Sequence, residues 1–113
     1  MYKIIIENKR TYFGSGEYVG RPSPLGNPFQ IDPDNSRRVV IARYRAWLTA
    51  QLTRNIIIKA EFDHLLAILK QTGAITLICW CAPLPCHADV IADLLTKACF
   101  NDHQQEQKSD DPT

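Results

Sequence analysis

Three of the four cysteines and one of the three histidines fall in one short run, Cys79-Trp80-Cys81-Ala82-Pro83-Leu84-Pro85-Cys86-His87. Three chemistries are open to it. Cys79 and Cys81, two apart on a strand, point to the same face, and with Cys86 and His87 they form a four-ligand set of the type zinc prefers. The C-x-C-x4-C-H spacing matches no standard finger or ribbon, and Pro83 and Pro85 stiffen the intervening segment. We therefore expect no metal, and name Cys79, Cys81, Cys86 and His87 as the residues that would hold zinc. Alternatively, Cys86 at a helix start is a candidate thiolate nucleophile, because a helix N-terminus lowers a thiol pKa. As a third reading, Cys79 and Cys81 are small buried hydrophobes with no chemistry. His87 is a candidate for ligand contact or catalysis. Asp89 is either a general base or an acid favoured by the helix dipole in the first turn.

A second segment holds groups suited to an anion. Gly20-Arg21-Pro22-Ser23-Pro24-Leu25-Gly26-Asn27-Pro28-Phe29 is a long loop whose three prolines and two flanking aromatics argue for order, since each proline fixes a dihedral and Phe29 favours burial. Arg21 supplies a full charge and a guanidinium fork matched to phosphate or carboxylate. Ser23 and Asn27 add short polar groups, and Gly26 lets backbone approach closely. Arg21, Ser23, Gly26, Asn27, Cys86 and His87 are thus the expected ligand-binding residues. The glycine spacing is that of neither a Walker loop nor a dinucleotide fingerprint.

The elements that must position these groups follow from periodicity. Residues 2–7 read as a buried strand and 18–19 as a second, short one. Asn35 or Ser36 caps a helix over about 37–54, whose Val40, Tyr44, Trp47, Leu48 and Leu52 share a face. A second helix over about 59–71 carries Phe62, Leu65, Leu66 and Leu69 and ends at Gly73. Residues 74–81 read as a central strand, apolar on both faces. A third helix starts at Cys86 or His87, with Val90, Ile91, Leu94, Leu95 and Ala98 inward. The expected fold is α/β, Rossmann-like: a small, mainly parallel sheet with about three helices. Both reactive loops then lie at the carboxyl ends of strands, where such folds bind ligands.

The 113 residues, 45% hydrophobic and 22% charged, suit a single domain over 1–100. Residues 101–113 form a polar acidic tail of net charge −3, expected to be unstructured, which leaves +4 on the remainder. Arg37, Arg38, Arg43, Arg45 and Arg54 crowd one segment, either as a solvated helix face or as an anion-binding surface. No run approaches a membrane span, and the amino terminus does not read as a signal peptide. Crowded cysteines argue against a secreted disulfide framework and for the cytoplasm.

The motifs Tyr18-Val19-Gly20-Arg21, Ser23-Pro24-Leu25-Gly26-Asn27-Pro28-Phe29, Tyr44 with Trp47-Leu48, and Cys79 through Val90 together resemble a small bacterial and phage family. It is catalogued as domain of unknown function 4326, and the resemblance runs over about residues 2–97. The two-motif layout is also broadly similar to small Rossmann-like nucleotide-binding proteins of the SLOG type, although their glycine-rich phosphate loop is lacking. The resemblance implies a nucleotide or nucleoside-derived ligand, with sequestration or hydrolysis both open. The alternative is a zinc-stabilised module that binds protein or nucleic acid. The first reading names a small anionic partner at the strand-to-helix edge and no membrane.

Overall fold

The computed structural model describes residues 2–109, with side chains described through Asn101. Three strands and three helices follow in the order β1 (Lys3–Asn8), β2 (Glu17–Tyr18), α1 (Arg37–Arg54), α2 (Ile56–Thr72), β3 (Ala74–Cys79) and α3 (His87–Ser109). The strands form one sheet of order β1-β3-β2, and both pairings are parallel.

Local signals explain most boundaries. Ser36 caps α1 by accepting the Val39 amide proton. Asn55 ends α1, its N–H bonding Gln51 O, and begins α2, its side chain accepting from Ile57 and Ile58. That cap draws Ile56-Ile57-Ile58 into α2, three residues before the periodicity begins to read as helix. The β-branched run is poor helix sequence by itself, and the satisfied amides outweigh it. Gly73 closes α2 at φ 81°, in the left-handed region open to glycine, and a Cβ there would meet nothing within 4 Å.

β3 occupies the centre of the sheet, as its two apolar faces predict, but it ends at Cys79 rather than residue 81. Its partner β1 stops opposite it, at Asn8. The Asn8 side chain then takes over from the ladder, donating to the carbonyls of Trp80 (3.1 Å) and Ala82 (2.8 Å). This bends Trp80 and Cys81 out of the strand and opens the sheet edge.

Ile75, Leu77 and Cys79 alternate onto one buried face of β3, with Ile4 and Ile6 in register beside them. Tyr44 and Leu48 of α1, Phe62, Leu65 and Leu69 of α2, and Val90, Ile91 and Leu95 of α3 pack into the same cluster. The helices therefore cover one face of the sheet, in two layers. Cys99, one turn beyond Leu95, is buried too, whereas Leu94 and Ala98 are only partly buried. The segment from β1 to β2 passes β3 on the other face, where a Cβ on Gly16 would strike Ile78. Tyr18 and Trp80 lie on that side, with the Trp80 indole N–H donating to the Tyr18 hydroxyl at 2.8 Å. Among the described residues no helix is long and apolar enough to cross a membrane. The backbone of α3 continues to Ser109, past the boundary at 100 read from composition; the side chains of 102–113 and the backbone of 110–113 lie outside the described residues.

Candidate functional site

The loop after β2 is folded by its own short-range chemistry. The Ser23 N–H bonds Gly20 O, and the Gly26 N–H bonds Ser23 O, each at 2.8 Å, giving two successive turns. The Ser23 hydroxyl accepts from Leu25 N–H, and Asn27 Oδ1 accepts from Phe29 N–H. The second turn brings Gly26 so close to Arg21 that a Cβ would sit 3.0 Å from the Arg21 backbone. Three side-chain bonds then clamp the loop, two of them from distant elements. Tyr18 donates to Arg21 O at 2.6 Å, buried Tyr44 donates to Leu25 O at 2.6 Å, and His87 Nε2 lies 2.7 Å from Val19 O. Burial pushes the Tyr44 pKa upward, so it remains a donor.

A carbonyl only accepts, so His87 carries its proton on Nε2 and donates it to Val19. The ring is 8% exposed and meets Tyr44 edge-on at 5.2 Å. Burial holds its pKa below the usual 6.5, against the pull of the Val19 bond, and the nearby Arg21 charge lowers it further. His87 is therefore neutral near pH 7, with Nδ1 left as an acceptor that makes no hydrogen bond among the described residues.

The start of α3 is capped from within. The Cys86 N–H donates to Asp89 Oδ2 at 2.8 Å, the Ala88 N–H to Cys86 Sγ at 3.4 Å, and the Asp89 N–H to Cys86 O at 3.0 Å. Asp89 thus takes the capping role of an acid in the first turn. These bonds use amides that the sequence offers to an anion, so positive charge at the site comes chiefly from side chains.

Between loop and helix lies a cavity of about 520 Å³. Of the expected ligand-binding residues, Arg21, Asn27, Cys86 and His87 line it together. Ser23 and Gly26 are not in its wall and instead shape the loop. Arg37 and an aromatic wall of Tyr18, Phe29 and Trp80 also line the cavity and are not among the expected ligand-binding residues. Arg37 reaches it from the first turn of α1 and bonds Pro85 O at 3.0 Å. Its place in the arginine-rich segment was the available signal. The guanidinium of Arg21 has no hydrogen-bond or ion-pair partner among the described residues. Outside the wall, Lys9 lies over Tyr18 at 5.3 Å and Arg10 over Trp80 at 5.9 Å, adding positive charge to the same edge.

The four residues that would hold zinc do not converge. Cys79 and Cys86 meet sulfur to sulfur at 3.2 Å beneath the cavity, Cys81 lines its wall, and His87 has committed Nε2 to Val19. Among the described residues no three His, Cys, Asp or Glu side chains form a group able to hold a metal ion.

A family model matches residues 6–97, which span both loops and every residue of the cavity wall. The chain belongs to the family described as domain of unknown function (DUF4326). No curated protein and no solved structure matches it. The DUF4326 match ends within α3, two turns beyond Val90, so the family's shared span includes the start of that helix and not its distal end.

Proposed function

We propose that the cavity binds a small anionic ligand of the nucleotide or nucleoside-derived class, holding its phosphate or carboxylate between Arg21 and Arg37. The observation that carries this reading is the Arg21 guanidinium, set on the cavity wall by a clamped loop and left with no partner among the described residues. An unpaired guanidinium beside a concave site is suited to a bidentate anion. The volume of about 520 Å³ suits a ligand of that size. Tyr18, Phe29 and Trp80 offer ring faces for a base. The Asn27 amide and His87 Nδ1 supply a donor and an acceptor for orientation. Binding is the step this arrangement serves. Hydrolysis would draw on neutral His87 as the base that accepts a proton from water.

The test is thermal unfolding of the chain with inorganic phosphate and with nucleoside mono-, di- and triphosphates. At least one nucleotide should raise the melting temperature saturably. Arg21→Ala should weaken that ligand tenfold or more, as expected for a charge-assisted bond of about 1.5–3 kcal/mol. Being exposed, Arg21 should leave the free protein within about 1 kcal/mol of wild type. A wild-type chain that no phosphate-bearing compound stabilises contradicts the reading.

A further inference from the structure

We propose that Cys79 and Cys86 form an oxidisable dithiol, a reversible modification site beneath the cavity that oxidants reach at Cys86. The inference is independent of any ligand. It rests on a tertiary contact: the last residue of the central strand and the capping residue of α3 meet at 3.2 Å between sulfurs. All four cysteines are free thiols. Cys81 lines the cavity without that contact, and Cys99 lies in the helical core.

The Cys86 sulfur accepts the Ala88 amide proton at 3.4 Å, a bond of the kind that stabilises a thiolate. The thiol of Cys86 also donates to Cys79, which brings the Cys79 pKa down to about 6 and pushes that of Cys86 upward. The contact thus favours the thiolate on Cys79 and holds the proton on Cys86. Access decides the order of events. Cys79 is sealed, whereas Cys86, itself only 3% exposed, is part of the cavity wall.

Hydrogen peroxide is the oxidant whose size suits such a site. Passing its proton to Cys79 across the 3.2 Å contact, Cys86 becomes the thiolate that attacks one peroxide oxygen. The O–O bond breaks, the departing hydroxide takes a proton from solvent to become water, and Cys86 becomes a sulfenic acid. The sulfur of Cys79 then displaces hydroxide from the Cys86 sulfur, and its own proton completes a second water. Two thiols lose two electrons, peroxide gains them, and one S–S bond forms. The sulfurs must approach from 3.2 Å to about 2.05 Å, a movement of roughly an ångström at a helix start.

The experiment treats the reduced full chain with stoichiometric hydrogen peroxide, alkylates the remaining thiols in denaturant, and maps peptides by mass spectrometry without reduction. A Cys79–Cys86 linked peptide, lighter by two hydrogens and restored by dithiothreitol, should appear before Cys81 or Cys99 is modified. Cys86→Ser should abolish the linked product, and the double variant Cys81→Ser/Cys99→Ser should retain it. The proposal is overturned if wild-type Cys79 and Cys86 stay alkylatable while Cys81 or Cys99 oxidises. It is equally overturned if Cys86 proceeds to sulfinic acid with no link to Cys79. Because wild-type protein gives the primary readout, neither result depends on a variant that folds.

Discussion

His87 serves the cavity only in its neutral form, and that requirement couples the site to the fold. The unfolded ring gains a proton near pH 6.5, whereas the folded ring gains one only at lower pH because burial opposes the charge. Between those two values the unfolded chain binds more protons, so stability falls as pH drops below about 6.5 and is unaffected by this group above it. His87→Gln keeps a donor for Val19 and removes the titration. Urea unfolding between about pH 7 and pH 5 should therefore show a shallower loss of stability in the variant than in wild type. Parallel pH profiles would mean that burial of His87 contributes no pH dependence. Tyr44 offers a second check at this scale. Tyr44→Phe leaves the buried Leu25 carbonyl without its 2.6 Å donor and should cost about 1–3 kcal/mol. Because that bond clamps the loop, the variant should also weaken any ligand held at Arg21. A stability loss with unchanged affinity would show that the loop keeps its shape without the clamp. The sulfur pair and the unconverged histidine lead to a third expectation: incubation with EDTA should leave the melting temperature unchanged. A fall on chelation would instead support a structural metal.

At the scale of elements, what could be read from sequence was what local chemistry decides. Ser36 as a cap, Gly73 as a terminator and the Phe62–Leu65–Leu69 face of α2 each depend on neighbours within about one or two helical turns. The loop after β2 was also legible as ordered, because prolines restrict it and its polar side chains close their own turns. Legibility failed where a distant group decides. Cys79 reads as an inert hydrophobe until Cys86 is brought against it, whereas at Ile56–Ile58 the deciding cap is the adjacent Asn55, a local signal masked by the β-branched run. Arg37 belongs to the cavity only because the first turn of α1 lies beside Pro85, a contact that helical periodicity cannot express. Asn55 gives this scale its test. It serves two helices, so Asn55→Ala should destabilise the chain by about 1–2 kcal/mol, at the upper end for a lost cap. Gly73→Ala should cost about 1–2 kcal/mol from its left-handed backbone alone, since the added methyl meets nothing. Chemical denaturation checks both, and a neutral result at Asn55 would mean that packing of Ile58 and Phe62 starts α2 without the cap.

For the whole molecule, the parallel order β1-β3-β2 brings the carboxyl ends of all three strands to one edge. The loop after β2 and the start of α3 both spring from that edge, so two motifs some sixty residues apart line one cavity. The helices cover one sheet face and leave this edge open, which is the arrangement in which α/β proteins bind ligands. Amide chemical-shift mapping tests this account most directly. The uniformly 15N-labelled chain would be titrated with nucleoside mono-, di- and triphosphates and, separately, with inorganic phosphate. The account predicts saturable shifts concentrated at Gly20, Arg21, Asn27, Trp80, Cys81 and His87, lost in Arg21→Ala while the remaining spectrum stays folded. Shifts confined to α2 or to the exposed sheet face, or no shifts at all from any phosphate-bearing compound, would contradict it.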